Sequence, residues 1–478
     1  MKKNKGNFIY IMACFFLCLL PFVGMAAAPD DSTTENRTLA SFPQTKKEGR
    51  WNVDFMEERG SYFEDHFAFR PMFVMADSQI QSRIFGVSNM DTVIVGTDGW
   101  LYYSATLDDY LGQNRLSERG CFNAAHNLSL MQQYVEDKGA AFLLTIPPNK
   151  NSLYGEYMPY YARKKASQDK NIQRLKSELE KWNVSYADLF SVFQKEKEVL
   201  YLKRDSHWNQ KGAVLAYNTM LDALNREHEN YEATDAVRTK TEYGDLNKMM
   251  YPLGGEPEWN YQYQYEERYH YVTETKSVED AWIQTNNPEG EGSLLMFRDS
   301  FGNTLLPLMA NTFEDGFFSK ETPYQLDSYM EKYHPQVVIV EKVERNLDEF
   351  ASEPPVMTGP VVVLKAGEKT EKTDTDVKLE ESEYAPDYWK ISGNVDAGYV
   401  EMDTRIAIRV KWGAHTTVYE AYTVSGKEGD NGYVLYLPKD KILSDAVQID
   451  VLTDNDGQWC NVKTKEFSIS QLNVSGEE

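Results

Sequence analysis

Short apolar runs alternate with amphipathic stretches through the middle of the chain. Three of the apolar runs have the length and composition of buried strands, namely residues 140–146, 293–297 and 337–340. Three stretches repeat apolar residues at helical spacing, namely residues 121–138, 169–181 and 211–227. This alternation predicts an α/β fold in which helices flank a largely parallel sheet, over about residues 92–365.

The pattern differs on either side of this predicted domain. Residues 29–91 mix polar linker with aromatic and helical pieces, which predicts an N-terminal extension that packs on the α/β domain. Residues 92–103 contain two short β-rich runs around Gly96-Thr97-Asp98-Gly99 and predict a hairpin. After residue 365, short alternating runs are separated by turn signals such as Ser392-Gly393-Asn394. Residues 366–478 are therefore predicted to form an all-β, sandwich-like domain, which is a candidate for carbohydrate binding.

Residues 1–28 have the pattern of an export signal. Lysines open the segment, an apolar stretch runs from Phe8 to about Gly24, and the small residues Ala26 to Ala28 offer a cleavage site. An uncleaved membrane anchor is the alternative, because about 20 apolar residues can span a bilayer. Both interpretations place the rest of the chain outside the cytoplasm, either secreted or on the outer face of a bacterial membrane.

Composition excludes several kinds of ligand. The 478 residues include 50 Lys and Arg against 74 Asp and Glu, a formal net charge of −24. Nucleic acid is not an expected partner, because no excess of cations remains to neutralise a phosphate backbone. The sequence has no CxxC pair, so no zinc or iron–sulfur site is predicted, and no cofactor is expected.

His207 is the strongest candidate for a general base among the seven histidines. It lies in RDSHWNQKGA, two residues after Asp205 and just ahead of the helix predicted from about Lys211. At the carboxyl edge of the sheet, Asp205 would orient the imidazole and His207 would take a proton from a hydroxyl. The spacing fits equally well a structural loop, in which the aspartate caps the helix and the histidine stacks on Trp208.

Ser300 is the matching candidate for a nucleophile. In SLLMFRDSFGN, a predicted buried strand ends just before Arg298 and a helix-like apolar stretch follows Gly302. A strand-to-helix turn presents a side chain at the edge of the sheet, near backbone N–H groups that can stabilise an oxyanion. A helix N-cap serine is the structural alternative.

Together these motifs resemble one protein family. The DxHW segment at residues 205–208 and the strand–DSF–helix segment around residue 300 are preceded by ENRTLASFP at 35–43 and YFEDHFAFR at 62–70. This combination is similar to the DHHW and alginate O-acetyltransferase (AlgX/AlgJ-like) group of SGNH-hydrolase-like proteins, over about residues 35–345. The resemblance implies a permuted SGNH-hydrolase-like domain, with the Asp-His block ahead of the serine block.

The resemblance also implies a catalytic triad. Ser300 would be the nucleophile, His207 the base and Asp205 the residue that orients the base. Two positions depart from the family pattern: Ser206 replaces the first histidine of DHHW, and Arg298 stands where many members have glycine before Asp-Ser.

Weaker candidates surround this set. Asn149, which follows the strand end at residues 146–148, and Arg345 are possible oxyanion donors. Trp208, Tyr261 and Tyr263 are candidates for substrate binding, because the run YQYQYEERYHY at 261–271 alternates aromatic residues at strand period. A partly buried aromatic strand is the more common explanation of such a run. Three C-terminal tryptophans suggest either sugar binding or a sandwich core, namely Trp389, Trp412 and Trp459.

The function implied by the resemblance is O-acetyl transfer to a cell-surface or exported polysaccharide. Ser300 would carry an acetyl group that a membrane-bound O-acyltransferase partner supplies, and a sugar hydroxyl would accept it. The negative charge of the chain favours a neutral or basic glycan over a polyuronate. Two alternatives stay open, a carbohydrate acetyl esterase with the same triad and a non-catalytic glycan-binding protein in which Ser300 and His207 are structural.

Overall fold

The computed structural model of the protein describes residues 2–27, 40–47, 49–233, 236–364, 368–427, 429–455 and 457–472. The predicted cleavage site at Ala28, residues 35–39 of the ENRTLASFP motif and the predicted boundary at 365–366 lie outside these described residues.

The strands are numbered in chain order. They are β1 Lys46–Lys47, β2 Arg50–Trp51, β3 Val93–Val95, β4 Leu101–Tyr103, β5 Ala141–Thr145, β6 Tyr186–Ala187, β7 Ala236–Glu242, β8 Glu258–Tyr263, β9 His270–Tyr271, β10 Trp282–Asn286, β11 Ser293–Phe297, β12 Asp315–Ser319, β13 Val337–Glu341, β14 Lys369–Thr370, β15 Lys378–Glu381, β16 Tyr388–Asn394, β17 Arg405–Trp412, β18 His415–Glu420, β19 Tyr422–Gly426, β20 Gly429–Pro438, β21 Ala446–Asn455 and β22 Gln458–Ser468.

The α-helices are numbered in the same way. They are α1 Lys2–Ala27, α2 Phe55–His66, α3 Arg70–Ile80, α4 Leu107–Leu111, α5 Glu118–Asp137, α6 Lys150–Leu153, α7 Tyr160–Arg163, α8 Asn171–Lys181, α9 Leu189–Phe193, α10 Gln210–Ala223, α11 Asp245–Met250, α12 Gly302–Thr312, α13 Leu326–Tyr333, α14 Glu349–Ser352 and α15 Ile469–Leu472. A single π-helical turn, Gln81–Phe85, continues α3.

A seven-stranded sheet forms the centre of the α/β region. Its strand order is β6-β5-β13-β11-β12-β10-β9. The strands from β6 to β12 in this order are mutually parallel, and β10 and β9 complete one edge in antiparallel pairing. The predicted α/β fold class is confirmed, and the apolar runs mark the central strands because helices cover both faces of this sheet.

The alternation of side chains along each central strand separates two apolar cores. In β11, Leu294 and Met296 join the core that contains α10 and α12. Leu295 and Phe297 point to the opposite face, against α5 and α8. Helix α5 begins at Glu118, three residues before the predicted start, because Ser117 caps it by accepting a hydrogen bond from the Gly120 N–H at 2.8 Å.

The aromatic run at 261–271 is not one strand, contrary to the prediction. The strand β8 ends at Tyr263, and β9 begins only at His270. β8 pairs with β7 in a separate two-stranded hairpin, whereas β9 joins the edge of the central sheet. Period-2 alternation continues through the sequence, but the backbone leaves one sheet and enters another between these strands.

The C-terminal region is a β-sandwich, as predicted from its alternating runs. One sheet has the order β14-β22-β21-β17-β18 and the other β15-β16-β20-β19. Residues such as Ile391 and Ile408 fill the space between the two sheets. Trp389 and Trp459 are buried and belong to apolar clusters, so these two side chains are core residues rather than sugar contacts. Trp412 is half-buried and stacks on His415, with ring centroids 4.1 Å apart.

The sandwich contributes directly to the core of the α/β region. Tyr422 at the start of β19 is fully buried in the cluster that contains α5. Asn127 of α5 donates to the Phe350 and Thr423 carbonyls at 2.9 Å each and accepts from the Thr423 N–H at 3.1 Å. The neighbouring His126 contacts Glu420 at 3.0 Å. Buried hydrogen bonds therefore join the two regions along one side of α5.

Asn127→Ala is expected to lower the free energy of unfolding by about 2 kcal/mol, because it leaves buried backbone groups of both regions unpaired. Chemical denaturation monitored by tryptophan fluorescence measures this change. Gln133→Ala on the exposed side of the same helix is the control, with an expected change within about 0.5 kcal/mol. Equal stability of the two variants would contradict a structural role for the contact.

The N-terminal helix α1 contains a segment, Gly6–Met25, that is long and apolar enough to cross a membrane. Such a helix is compatible with a signal peptide and with a membrane anchor. Farther along, α2 and α3 form the helical part of the N-terminal extension. Ser82, in the π-helical turn that continues α3, contacts the Tyr251 hydroxyl at 2.9 Å, next to α11.

Candidate active site

The carboxyl ends of three parallel strands bring the candidate residues to one edge of the central sheet. Asn149 follows β5, Ser300 follows β11 and Arg345 follows β13. These strands are neighbours in the order β5-β13-β11. In parallel α/β sheets this edge is the usual position of a binding or catalytic site.

The turn that presents Ser300 is fixed by the side chain of Asp299. One carboxylate oxygen accepts from the Phe301 N–H at 2.8 Å, and the other accepts from the Val343 N–H at 2.8 Å. The Asp299 N–H in turn donates to Glu341 at 2.9 Å. The turn is therefore tied to the end of β13, and Ser300 is left free to face the edge of the sheet.

Glu341 lies fully buried beneath this turn. Burial, reinforced by the negative charge of Asp299, raises the pKa of Glu341 well above its ordinary value. Burial therefore favours the protonated form of this carboxyl group, which supports the turn by accepting from the Asp299 N–H.

Arg298, which departs from the family pattern, is held in hydrogen bonds to neighbouring elements. Its guanidinium is buried and donates to the Val278 carbonyl at 2.9 Å and to the side chain of Asn303. It therefore acts as a tie between the turn, α12 and the segment before β10.

The loop that carries Asp205 and His207 is short, and its two ends are paired with each other. Tyr201 and Trp208 form an isolated antiparallel bridge, and the loop lies between them. Helix α10 follows, and Asn209 caps it by accepting from the Gly212 N–H at 2.9 Å. The structural alternative for Asp205, a helix cap, is therefore wrong, because Asn209 takes that position.

The structure places the three predicted triad residues in one hydrogen-bonded line. The Nε2 atom of His207 is 2.8 Å from the Ser300 hydroxyl oxygen. The Nδ1 atom of the same ring is 2.7 Å from a carboxylate oxygen of Asp205, which also accepts from the His207 N–H at 2.8 Å. The His207 side chain is 24% exposed and that of Asp205 is 14% exposed. Both distances are within the reach required for proton transfer.

Asp205 and His207 shift each other's pKa values. Burial alone would raise the pKa of Asp205, but the hydrogen bond and positive charge of His207 lower it to about 2. Burial would lower the pKa of His207, but the hydrogen bond and charge of Asp205, together with the charge of Asp245, raise it above its ordinary value. His207 is therefore a stronger base than a free imidazole, and Asp205 remains ionised beside it.

A second carboxylate, Asp245, completes the site and was not predicted from the sequence. Its nearer oxygen lies 3.7 Å from Nδ1 of His207, and its N–H donates to Asp205 at 2.8 Å. Ser206, which replaces the first histidine of DHHW, donates its hydroxyl and its N–H to Asp245. Gly244 permits this approach, since a Cβ there would lie 2.2 Å from the Arg204 carbonyl oxygen.

Asp205, His207 and Asp245 are also the residues that could approach a metal ion together. Their ligand atoms all lie within 4.8 Å of one another. An ion bound to Nδ1 of His207 would displace the hydrogen bond from Asp205 that orients the ring. The set fits a proton-transfer site better than a metal centre, because its carboxylate oxygens and ring nitrogens already have hydrogen-bond partners in the protein.

The two weak oxyanion candidates have different surroundings. The Asn149 side chain is buried and donates to Asp109 at 3.1 Å, while its N–H donates to Glu344 at 2.7 Å. Arg345 is half-buried, with its guanidinium carbon 5.9 Å from the ring centroid of Phe301, the residue after Ser300. Within the part of the chain that the structure describes, the Ser300 N–H donates to no protein acceptor, which leaves it available to an oxyanion.

The three candidates for substrate binding lie in different environments. Trp208 is 1% exposed, packs on Phe301 and donates its indole N–H to Thr304 at 2.5 Å, so it is a core residue with no face for a sugar. Tyr263 packs against the core on the α10 side. Tyr261 is half-buried and lines an open cleft of about 710 Å³.

This cleft lies between the segment that leads to Asp205 and the β7–β8 hairpin. Its wall includes Lys203 and Arg204, directly ahead of Asp205, and Trp259 of β8. Trp259 is 53% exposed, and the Arg238 guanidinium carbon lies 5.5 Å from its ring centroid. A cleft with an exposed aromatic ring and polar side chains is suited to a sugar chain.

Comparison with known proteins agrees with the motifs. Residues 93–289 match the family described as SGNH hydrolase-like domain, acetyltransferase AlgX. This range contains Asp205 and His207 and ends before Ser300. A relative from Pseudomonas putida, named probable alginate O-acetylase AlgJ, is 22% identical over 222 residues, which cover 44% of this chain and 55% of the relative. The chain thus spans little more than half the length of that relative.

Solved structures also show similarity, at low identity. Bacillus cereus PatB1 has a TM-score of 0.42 and 17% identity, over 53% of this chain and 96% of PatB1. A DHHW family protein from Eubacterium siraeum has a TM-score of 0.39 and 16% identity, over 48% of this chain and 88% of that protein. By the family match over residues 93–289 and the AlgJ relative, this part of the chain is similar to SGNH hydrolase-like proteins of the AlgX and AlgJ group, in agreement with the motifs.

Proposed function

We propose that this protein is an extracytoplasmic O-acetyltransferase that transfers acetyl groups to hydroxyls of a polysaccharide through Ser300, His207 and Asp205. The observation that carries the proposal is the hydrogen-bonded line from the Ser300 hydroxyl through His207 to Asp205. The family match and the name of the AlgJ relative, an alginate O-acetylase, support acetyl transfer as the reaction class.

The first half of the reaction loads the serine. Nε2 of His207 takes the proton of the Ser300 hydroxyl as its oxygen attacks the acetyl carbonyl of the donor. The Ser300 N–H, and the positive charge of Arg345, are suited to stabilise the oxyanion of the tetrahedral intermediate. The intermediate collapses, the bond from acetyl carbon to donor oxygen breaks, and His207 returns the proton to the leaving oxygen.

The second half unloads the serine. Nε2 of His207 accepts the proton of a sugar hydroxyl, whose oxygen attacks the acetyl-serine carbonyl. Collapse of the second intermediate forms the sugar ester and breaks the bond to Ser300, and His207 gives the proton back to the serine oxygen. Asp205 keeps its charge throughout and holds the imidazolium that forms in each half.

The proposed location and partner follow from the N-terminal helix. A signal peptide or anchor over residues 6–25 would place the site outside the cytoplasm, where coenzyme A thioesters are not expected. The donor acetyl group would therefore come through a membrane-bound O-acyltransferase. Copurification of such a membrane protein with the full chain tests this part of the proposal.

A carbohydrate acetyl esterase with the same triad is the second candidate. The 24% exposure of His207 favours it, because water can reach an acetyl group on Ser300. The test supplies 4-nitrophenyl acetate with a mixture of oligosaccharides and measures acetyl-sugar and acetate by mass spectrometry. An excess of acetyl-sugar at millimolar acceptor supports the transferase, and acetate alone supports the esterase.

The cleft beside the Asp205 loop is the proposed acceptor site. Trp259→Ala is expected to raise KM for an oligosaccharide acceptor about fivefold, equivalent to about 1 kcal/mol of ring stacking. Hydrolysis of 4-nitrophenyl acetate should stay unchanged, because the acetyl donor does not need this ring. Trp51→Ala, at a 76% exposed tryptophan that does not line the cleft, is the matched control. An unchanged KM for the acceptor in Trp259→Ala would contradict the proposal that the acceptor binds in this cleft.

A further inference from the structure

A buried lysine lies beneath the loop that carries Asp205 and His207. Lys150 begins α6, just after β5, and is 3% exposed. Its ammonium nitrogen lies 5.6 Å and 5.2 Å from the ring centroids of Trp100 and Tyr102. Within the described residues it forms no ion pair at salt-bridge distance with a carboxylate. A buried ammonium is costly unless its protons are hydrogen-bonded.

The hydrogen bonds of this ammonium all go to the catalytic loop. Nζ donates to the Leu202 carbonyl at 3.1 Å, to the Lys203 carbonyl at 3.0 Å and to the Asp205 carbonyl. An ammonium group has three protons, so these carbonyls use its full donor capacity. Three backbone carbonyls of the loop therefore converge on the Lys150 ammonium.

The opposite side of the loop is held by a carboxylate. Glu258 accepts from the Lys203 N–H at 2.7 Å and from the Arg204 N–H at 2.9 Å. The carbonyls of this loop thus face the buried Lys150 ammonium, and two of its N–H groups face the half-buried Glu258 carboxylate. Hydrogen bonds therefore hold both the carbonyl groups and the N–H groups of the backbone immediately before Asp205.

Charge in the site also favours the ammonium form. Burial lowers the pKa of Lys150 to about 8, and the negative charges of Asp205, Asp245 and Glu258 oppose a larger decrease. The lysine and the two site aspartates therefore stabilise one another across the loop backbone.

We propose that Lys150 is a positioning residue for the reaction: its ammonium binds the carbonyls of residues 202, 203 and 205 and thereby sets the place of Asp205 and His207 relative to Ser300. The inference rests on the proposed function. It predicts that loss of the ammonium reduces catalysis through geometry, since a displacement of about 1 Å in a catalytic group can cost about 100-fold in rate.

The test compares Lys150→Met, which keeps the side-chain length without donors, with Lys150→Gln, which keeps an amide donor group. In hydrolysis of 4-nitrophenyl acetate by the full chain, kcat should fall about 100-fold in the Met variant and less in the Gln variant, with KM within about twofold. The low-field proton resonance of the His207 Nδ1–H, in its bond to Asp205, should weaken or shift in the same order.

Lys342→Met is the matched control. Lys342 is 6% exposed, follows β13 at the same edge of the sheet, and donates to Glu349 rather than to the loop. Its loss should lower the melting temperature and leave kcat within about twofold of wild type. A drop in kcat specific to Lys150 would separate positioning from a general loss of stability.

Each outcome decides the proposal. A folded Lys150→Met variant with wild-type kcat and an unchanged His207 resonance would overturn it. If Lys150→Met does not unfold cooperatively, the same two readouts on Lys150→Gln decide. If the wild-type chain shows no turnover, the proposed function fails, and the resonance alone then shows whether Lys150 positions His207.

Discussion

Replacing Ser300 with alanine is expected to lower kcat/KM for 4-nitrophenyl acetate by at least about 10³-fold. Alanine removes the oxygen that lies 2.8 Å from Nε2 of His207, so no acetyl-enzyme can form. The fold should persist, because the turn is held by the Asp299 carboxylate and the Glu341 side chain rather than by the serine hydroxyl. Steady-state kinetics and a thermal melt of the same sample measure both effects.

Ser293→Ala is the matched control for this variant. Ser293 begins the strand that ends before Ser300, at the opposite edge of the sheet, and its hydroxyl accepts only from the Gln336 N–H in the described contacts. Its kcat/KM should stay within about twofold of wild type. Full turnover in Ser300→Ala would remove the triad from the reaction and favour the glycan-binding alternative, in which Ser300 and His207 are structural.

The central sheet could be predicted because its strands are apolar on both faces. The run at 293–297 corresponds to β11, and the run at 337–340 falls one residue short of β13. The helix that follows the DxHW segment was also predicted, with a start one residue late. The helix is capped by Asn209. An asparagine can be recognised as a cap from the sequence only when the position where the helix begins is already known.

The triad could be proposed from two local motifs. The second carboxylate beside His207, that of Asp245, could not. Asp245 lies 40 residues beyond Asp205 and reaches it through backbone contact. No spacing rule connects the two, because the contact depends on how Gly244 packs against Arg204. A glycine directly before an aspartate at a helix start was the available signal, and it is too common to be informative.

Trp208 and Lys150 show a different limit of sequence reasoning. Trp208 packs on Phe301 in the core, whereas the ring of the preceding His207 reaches the Ser300 hydroxyl. The sequence analysis instead placed Trp208 among the candidates for substrate binding. Lys150 gave no signal at all, because a lysine after Pro147-Pro148-Asn149 is expected in solvent, and only the three carbonyls around it explain its burial.

Net charge was also a weak guide to the acceptor. The chain carries −24, yet the cleft beside the Asp205 loop is lined by Lys203, Arg204, Arg238 and Lys240, with Glu198, Glu256 and Glu258. The local balance of charges, rather than the total, determines which sugar the cleft accepts. The preference for a neutral or basic glycan was predicted from the net charge of the whole chain, and it stays a prediction because the charges that line the cleft are mixed.

Asp205→Asn is expected to lower kcat by about 10³- to 10⁴-fold while the fold remains intact. An amide in place of the carboxylate can donate to Nδ1 and so favours the tautomer in which Nε2 carries the proton. That tautomer cannot take the proton of Ser300. The pKa of His207 should also fall, because the hydrogen bond and charge that raise it are lost. Kinetics from pH 5 to 9, together with a thermal melt, measure both changes.

Asp245→Asn distinguishes the two carboxylates next to His207. Its oxygen is 3.7 Å from Nδ1, against 2.7 Å for Asp205, so it acts on the ring through charge and not through a direct hydrogen bond. We expect kcat at high pH to fall less than about tenfold. With His207 as the proposed base, kcat/KM should rise with pH through its pKa, and removing one of the negative charges that raise this pKa should move the acid limb to lower pH. If Asp245→Asn instead loses as much activity as Asp205→Asn, the orienting role belongs to the pair of carboxylates, and the proposed triad must include both.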